Sequence, residues 1–287
     1  MHNIPKRILI TGCRGFVASN LIKFLDTKKY KINCVSRNIS DTKFIPYGDY
    51  DKIKEAVKNS DIIIHLAAIT NPFDSNIWKV NVDYTRFLVI EAKKYNKRFI
   101  YVSSQNVLFG KDNYSKTKKE AESIVKTLKN FVILRPTIIY GKDDDRYIGK
   151  LIRIIKNYPL VPIIGSGKNK LQPIYVGDLI DIIKIFIKND INGIFLVAGP
   201  SVITYNELVE LIIKKLKLRR VKIHIPVGVI KLFLYLSQML LKNPPITTIQ
   251  LDNLKVNQDY DIQNTKKLFH IKLINIEEGL DIIMENE

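Results

Sequence analysis

A tyrosine and a lysine four residues apart carry the clearest chemical signal in this sequence. Tyr114 and Lys118 lie in the segment Tyr-Ser-Lys-Thr-Lys, which is compatible with a helix. Residues at i and i+4 share one face of a helix, so the ammonium group can sit beside the phenol and favour its ionised form. Such a tyrosine can exchange a proton with the oxygen of a ketone or carbinol. The alternative is a solvated helix with no catalytic role.

Two adjacent serines follow an apolar run just before this segment. Ser103 and Ser104 come directly after residues 99–102, which form a predicted strand. A hydroxyl group at the end of a strand can hydrogen-bond a substrate oxygen and stabilise the charge that develops there. The sequence therefore supplies a proton carrier, a cation and a hydroxyl group for chemistry at a carbonyl carbon.

A glycine turn near the start of the chain is typical of phosphate binding. Residues 8–18 read as a strand, a tight turn containing Gly12 and Gly15, and the beginning of a helix. Glycine lets backbone N–H groups approach a pyrophosphate, and the helix dipole favours its negative charge. The motif is only G-x-x-G, and Ala18 stands where the fuller dinucleotide motif has a third glycine.

The charges beside this turn favour NADP over NAD. An acidic residue at the end of the second strand would accept hydrogen bonds from the ribose hydroxyls, whereas a 2′-phosphate needs a cation there. This chain has Ser36 and Arg37 at that place, and Arg14 lies within the turn. Two guanidinium groups and a hydroxyl group suit a phosphate. The alternative is that Arg37 is an exposed loop cation.

The first half of the chain alternates apolar runs with helical segments, which predicts a parallel sheet covered on both faces. The apolar runs are 8–10, 32–35, 62–66, 99–102 and 131–134, and the helical segments are 19–25, 50–58, 78–95 and 114–128. We therefore expect an α/β protein with a Rossmann-type, doubly wound parallel sheet. Ligands of such folds bind beyond the carboxyl ends of the strands.

The pattern loosens after residue 140, which predicts a smaller, discontinuous α+β lobe. We assign residues 1–140 and about 174–197 to the dinucleotide-binding domain, and about 141–173 and 198–287 to a substrate-binding lobe. Thr204 with Glu207 three residues later has the spacing of a helix capping box. The apolar segment 227–241 is read as a packed helix, with a membrane surface or a partner protein as alternatives.

Composition excludes several classes of protein. The net charge of +18 is spread along the 287 residues, so we expect an anionic small-molecule substrate and no nucleic acid. Cys13 and Cys34 have neither disulfide-scaffold nor metal-ligand spacing, and the carboxylates of 143–145 read as a solvated loop, so no metal is expected. With no export signal and no apolar run of about 18 residues, we expect a cytoplasmic protein without a membrane span.

Taken together, these motifs resemble the extended short-chain dehydrogenase/reductase family, the group of NAD(P)-dependent nucleotide-sugar epimerases, dehydratases and 4-keto reductases. The matching stretches occur in the family's order at 11–16, 61–68, 81–85, 101–104, 114–118 and 134–136. Three later stretches look more like an atypical subgroup, the accessory complex I subunit that binds NADP(H) and its bacterial relatives; they are 172–179, 195–200 and 244–247.

The resemblance implies roles for individual residues. Tyr114 would be the acid/base, Lys118 would lower its pKa and contact the ribose, and Ser104 would be the catalytic hydroxyl, with Ser103 structural. Cofactor contacts are implied at Gly12, Arg14, Gly15, Phe16, Ser36, Arg37, Asp49, Ala67, Ala68 and Pro136. The cations suggested for the substrate are Arg135, Arg146, Lys168 and Lys170. His65 is expected to be a buried strand residue.

The implied function is an NADP(H)-dependent reductase or epimerase acting on a nucleotide sugar. Only ten positions separate Ser104 from Tyr114, fewer than is typical of the sugar-nucleotide epimerases. That shortening favours two alternatives: a non-catalytic NADP(H)-binding assembly subunit, or a reductase of a small ketone or aldehyde. Relatives often dimerise through helices equivalent to 78–95 and 114–128, so a homodimer is possible.

Overall fold

The computed structural model describes residues 5–37, 44–231, 256–263 and 271–285. The chain divides into two compact units. The first comprises Met1–Pro136 and Leu179–Leu196, and the second comprises Thr137–Asp178 and Val197–Glu287. The second unit therefore begins as an insertion between two parts of the first.

The strands and helices are numbered here in chain order. The strands are β1 (Lys6–Thr11), β2 (Tyr30–Ser36), β3 (Phe44–Pro46), β4 (Ile62–His65), β5 (Arg98–Val102), β6 (Phe131–Pro136), β7 (Ile139–Tyr140), β8 (Leu160–Ile164), β9 (Lys170–Leu171), β10 (Ile174–Tyr175), β11 (Gly193–Val197), β12 (Ile203–Thr204) and β13 (Val221–Ile225). The helices are α1 (Phe16–Phe24), α2 (Tyr50–Asn59), α3 (Tyr84–Lys94), α4 (Asn113–Val125), α5 (Tyr147–Asn157), α6 (Val176–Lys188), α7 (Tyr205–Lys215) and α8 (Ile276–Met284).

A seven-stranded sheet forms the centre of the first unit and confirms the predicted Rossmann-type fold. Its strand order is β11-β6-β5-β4-β1-β2-β3. The pairs that join β1 with β2, β2 with β3, β1 with β4, β4 with β5 and β5 with β6 are all parallel. The order reverses between β1 and β4, and ligands of doubly wound sheets bind at such a reversal.

Apolar side chains on alternating strand positions bury one face of the sheet against helices. Leu9, Ile63 and Phe99 lie in one buried cluster with Val57 of α2 and Leu88 of α3. Strand β4 is buried at all four positions, as expected for an interior strand covered on both faces. The predicted helix 78–95 has an irregular start, because Lys79–Asp83 forms a π-helical turn before α3 begins.

The guanidinium group of Arg98 fastens the C-terminal end of α6 to the sheet. Arg98 is buried at the start of β5 and donates hydrogen bonds to the carbonyl oxygens of Phe186, Asn189 and Ile191 at 2.9–3.0 Å. It also donates to the side chain of Asn130 at 2.5 Å. These acceptors satisfy a buried cation that would otherwise be costly.

Among its described residues, the second unit has three two-stranded sheets: β7 with β10, β8 with β13, and β9 with β12. Because β7 and β10 pair with each other, residues 137–140 and 174–178 belong to this unit, whereas the sequence placed them in the first. Strand β10 ends at Tyr175, and α6 starts at the next residue.

Local caps explain where two helices of the second unit begin. Thr204 and Glu207 form the predicted capping box at the start of α7. Asp144 is buried, and its carboxylate accepts from the backbone N–H groups of Arg146 and Gly149 at 3.1 and 3.2 Å, so it is a helix-start residue and not part of a solvated loop. Most of the apolar segment 227–241 lies outside the described residues. Among the described residues, no helix is long and apolar enough to cross a membrane.

Candidate functional site

A pocket of about 270 Å³ opens where the strand order of the first unit reverses. Its walls come from the carboxyl ends of β1, β2 and β4, from the turn after β1 and from the start of α3. The lining residues are Thr11, Gly12, Arg14, Gly15, Val35, Ser36, Arg37, Tyr47, Leu66, Ala67, Ala68, Val80 and Tyr84. The fold thus creates a cavity beside the N-terminal end of α1.

Gly12 lets two chain segments approach each other at this pocket. It has φ +76°, and a Cβ atom at this position would lie 2.8 Å from both the Cα and the backbone N of Ala67. No side chain fits there, since the neighbouring atoms are backbone. The turn continues with a hydrogen bond from the N–H of Gly15 to the carbonyl of Gly12 at 2.8 Å, and α1 starts at the following residue.

Seven of the ten residues predicted to contact a cofactor line this pocket: Gly12, Arg14, Gly15, Ser36, Arg37, Ala67 and Ala68. Phe16, Asp49 and Pro136 are not among the lining residues. Phe16 is the first residue of α1 and Pro136 is the last of β6. Asp49 caps α2, accepting from the N–H of Lys52 at 3.1 Å.

The pocket concentrates positive charge at the end of β2. Arg14 and Arg37 both have exposed side chains on its wall, and the buried Ser36 is the last residue of β2, directly before Arg37. The guanidinium carbon of Arg14 lies 5.5 Å from the centre of the Phe44 ring, a cation–π contact. This donor set of two guanidinium groups and a hydroxyl group is suited to a phosphate.

Helix α4 positions the tyrosine and the lysine. Asp112 caps the helix by accepting from the N–H of Ser115 at 2.7 Å, so Tyr114 lies in the first turn. Tyr114 packs against a small cluster that includes Val80, which also lines the pocket. The lysine lies one turn further along the same face.

The ammonium group of Lys118 is buried at the carboxyl end of β5. It donates to the carbonyl of Val102 at 2.7 Å and lies 4.2 Å from the centre of the Tyr101 ring. Burial lowers the pKa of Lys118 to about 7, while the carboxylate of Glu122 acts in the opposite direction. The hydrogen bond to Val102 therefore fixes the lysine at this end of the strand.

The two serines have different surroundings. The Ser104 hydroxyl accepts from the N–H of Asn106 at 3.2 Å and caps the short 3₁₀ helix Gln105–Leu108. Ser103 is buried, its N–H donates to the carbonyl of Leu134 at 2.7 Å, and its hydroxyl group has no partner among the described residues. Ser104 is half-buried and is the more accessible of the two.

The predicted substrate cations belong to different units and have different partners. Arg135 forms a two-pronged ion pair with the buried carboxylate of Glu122, at 2.9 and 2.5 Å. This pair lies within the first unit, so the charge of Arg135 already has a partner. In the second unit Lys170 pairs with Asp259 at 2.6 Å, Arg146 lies 3.8 Å from Asp144, and the side chain of Lys168 is exposed.

His65 is buried at the end of β4, and two threonines hold its ring. Thr85 donates to the carbonyl of Asn81 at 2.7 Å, so its oxygen accepts from Nε2 of His65 at 2.9 Å. The Nδ1 atom then accepts from the hydroxyl group of Thr11 at 2.6 Å, and Thr11 in turn accepts from the N–H of Ala67 at 3.3 Å. The network therefore fixes one tautomer of the neutral imidazole.

The same network extends to the helix that carries Tyr114. The side chain of Asn81 accepts from the N–H of Ile69 at 2.8 Å and donates to its carbonyl at 2.9 Å. It also donates to the hydroxyl group of Thr117 at 3.1 Å, and Thr117 donates to the carbonyl of Tyr114 at 2.9 Å. Buried polar contacts thus connect the wall of the pocket with α4.

Six residues that the sequence argument did not single out for the site line the pocket: Thr11, Val35, Tyr47, Leu66, Val80 and Tyr84. Thr11, Val35 and Leu66 lie at or just after strand ends, and the rule that ligands bind there could have identified them. For Tyr47 and Tyr84 the sequence holds no such signal, because the loop after β3 and the π-helical turn place them there.

Comparison with known proteins identifies the family. The model of the NAD dependent epimerase/dehydratase family matches residues 8–198. The chain belongs to this family. The match confirms the resemblance to extended short-chain dehydrogenases/reductases that the motifs indicated.

Individual relatives agree with this membership. UDP-glucose 4-epimerase of Vibrio cholerae is 28% identical over 270 residues, covering 81% of this chain and 82% of the relative. Two solved structures share the fold at 18% identity: dTDP-4-dehydrorhamnose reductase of Bacillus anthracis in complex with NADP (TM-score 0.74; 99% and 100% of the two chains) and UDP-glucuronic acid 4-epimerase of Bacillus cereus with UDP-glucuronic acid and NAD (TM-score 0.76; 98% and 100%).

The pocket fits the dinucleotide that the family binds. Gly12 lets the turn pack directly against the backbone of Ala67, and the turn leads into the N-terminal end of α1 beside the pocket, a position suited to a phosphate. The arginines supply cations for phosphate groups. The hydroxyl groups of Tyr47 and Tyr84 lack hydrogen-bond partners among the described residues, and neither oxygen is exposed to solvent.

Replacing Gly12 by alanine tests the close approach at the turn. We expect Gly12→Ala to lower the free energy of unfolding by about 2 kcal/mol or more, because the left-handed backbone and the contact with Ala67 both disfavour a Cβ atom. Gly48→Ala is the matched control, since no atom lies within 4 Å of its added Cβ. Urea denaturation of both variants measures the difference, and equal stabilities would contradict this account.

The buried imidazole predicts a loss of stability in mild acid. Burial lowers the pKa of His65 to about 3, so the ring stays neutral in the folded state while the unfolded chain takes up a proton below about pH 6.5. Stability is therefore lost as pH falls from 6.5 towards 3, by about 2 kcal/mol at pH 5. Urea denaturation at pH 7.5 and 5 should show a smaller loss for His65→Gln. An NMR titration in which His65 protonates near pH 6 would contradict the prediction.

Proposed function

We propose that the protein is an NADP(H)-dependent oxidoreductase or epimerase that acts on a carbonyl or carbinol carbon of a nucleotide sugar. The observation that carries this proposal is the packing of Tyr114 against the cluster that contains Val80, a residue of the dinucleotide pocket. The acid/base candidate and the proposed cofactor pocket are thus joined by direct packing in one unit. Relatives named as epimerases and reductases are consistent with the proposal.

Three side chains have separate roles at the substrate oxygen. When held in the pocket, a nicotinamide dinucleotide would supply or accept the hydride. Tyr114 gives a proton to the substrate oxygen during reduction and takes one during oxidation. The ammonium group of Lys118, held by Val102, favours the ionised phenol, and the hydroxyl group of Ser104 hydrogen-bonds the same oxygen and stabilises its charge.

The preference for NADP over NAD rests on the charge at the end of β2. Arg14 and Arg37 line the pocket there, and within the part of the chain that the structure describes no carboxylate lines it. A carboxylate would bind the two ribose hydroxyls of NAD and repel a 2′-phosphate. Of the two solved structures described above, one is a complex with NADP and the other with NAD. The preference for NADP is therefore inferred from this chain's own residues.

The proposed substrate is anionic, as the diphosphate of a nucleotide sugar is. We propose Arg146, Lys168 and Lys170 of the second unit as its contacts. Arg135 is left out of this set, because the buried carboxylate of Glu122 neutralises its charge within the first unit. Of the remaining three, Lys170 has the ion pair with Asp259, which is half exposed and therefore weak enough to exchange for a substrate phosphate.

Replacing Tyr114 by phenylalanine tests the mechanism. We expect Tyr114→Phe to lower turnover at least about a hundredfold, because the proton carrier is lost, while the affinity for NADPH changes less than twofold. Turnover is followed as NADPH oxidation with a panel of nucleotide 4-keto sugars, and as epimerisation of UDP- and dTDP-linked sugars.

The control is Tyr95→Phe, an exposed tyrosine that follows α3. Full activity in Tyr114→Phe would reject the mechanism. A wild-type protein that binds NADPH and turns over none of the panel, but does reduce simple ketones, would assign a smaller substrate. Binding with no turnover of either class would favour the assembly-subunit alternative.

The preference for NADP is tested by comparing the affinities of the protein for NADPH and NADH. We expect NADPH to bind at least about tenfold more tightly than NADH, because a charge-assisted phosphate contact contributes about 1.5–3 kcal/mol. Arg37→Gln should weaken NADPH and leave NADH within twofold. The control Arg86→Gln alters an exposed arginine on α3, outside the pocket lining. Isothermal titration with both nucleotides gives the ratio, and tighter binding of NADH by the wild type would contradict the preference.

A further inference from the structure

Two tyrosines of the pocket have hydroxyl groups that the protein leaves unpaired. Tyr47 follows β3, Tyr84 is the first residue of α3, and the centres of their rings are 4.5 Å apart. Both line the pocket, and Tyr84 is 1% exposed. Neither hydroxyl oxygen is exposed to solvent, and neither has a hydrogen-bond partner among the described residues.

Unpaired buried hydroxyl groups carry a cost that phenylalanine would avoid. A buried polar group without a partner destabilises a protein by about 1–3 kcal/mol, and native structures contain few of them. Here two occur side by side at one pocket. Phenylalanine would fill the same space at both positions without an unpaired hydroxyl group. A bound ligand would supply the hydrogen-bond acceptors that the two hydroxyl groups lack.

The surroundings indicate which part of a ligand that partner is. The charge of Arg37 acts on the Tyr47 hydroxyl and opposes the rise of its pKa, which burial takes to about 12. Tyr84 lies within electrostatic range of Cys13 in the glycine turn, and burial raises its pKa as well. Both phenols therefore stay protonated and can donate hydrogen bonds, Tyr47 within electrostatic range of Arg37 and Tyr84 directly beside Tyr47.

We infer that the hydroxyl groups of Tyr47 and Tyr84 donate hydrogen bonds to the phosphorylated ribose of the adenosine half of NADP(H), and so contribute to the choice of NADP over NAD. This inference rests on the proposed function. Because neither oxygen is exposed, the contact requires a small rotation of each ring as the phosphate enters. With Arg14, Arg37 and Ser36, the phosphate would then be surrounded by five donor side chains, all at the pocket.

The test replaces each hydroxyl group and keeps each ring. Tyr47→Phe and Tyr84→Phe are titrated calorimetrically with NADPH, NADH and adenosine 2′,5′-bisphosphate, which has the phosphorylated ribose and lacks nicotinamide. We expect each variant to bind NADPH and the bisphosphate about tenfold more weakly and NADH within twofold, as for the loss of a hydrogen bond to a charged group. Without nucleotide, the melting temperature of each variant should equal or exceed that of the wild type, since an unpaired group has been removed.

The control is Tyr101→Phe, which removes another buried, unpaired hydroxyl group at a position outside the pocket lining. It should leave the affinity for all three ligands unchanged. Unchanged NADPH affinity in both pocket variants would overturn the inference, and so would an equal loss for NADH, which would place the contact on the unphosphorylated part of the nucleotide. A wild-type protein that binds neither NADPH nor NADH would instead refute the proposed function.

Discussion

The contact between the backbone of Gly12 and that of Ala67 is the constraint on which the rest of the site depends. A Cβ atom added to Gly12 would lie 2.8 Å from the backbone of Ala67. The two segments come this close where β1 and β4 lie side by side, at the reversal of strand order. From this point the chain turns into α1 on one side and towards Ile69 and the Asn81 network on the other. The pocket is the space that this divergence opens.

The same constraint explains which parts of the site were predictable. Five strands, β1, β2, β4, β5 and β6, were predicted because apolar runs recur between amphipathic segments. Gly12 and Gly15 were predicted because a tight turn leaves few other residue types possible. The capping box at Thr204 was found because it depends on residues three apart. Strand β3 was not found: it has only three residues and pairs along an edge, so no periodicity develops.

Side chains whose roles depend on distant neighbours could not be assigned from the sequence. Arg135 suggested a phosphate ligand because of its charge, but Glu122, two turns beyond Tyr114 on the same helix, neutralises it. Asp49 has the local role of a helix cap. The environment of Lys118 depends on the carbonyl of Val102 and the ring of Tyr101, which only the packing of α4 on β5 brings to it.

The hydrogen bonds of Arg98 bear on the order in which the chain can be completed during synthesis. Three of its acceptors belong to residues 186–191, nearly a hundred positions later in the sequence. A nascent chain that has reached Pro136 has made six strands of the sheet and still lacks those carbonyl groups and β11. The first unit therefore has all of its residues only after the ribosome has also produced the inserted segment 137–178, and the rest of the second unit is synthesised after residue 196.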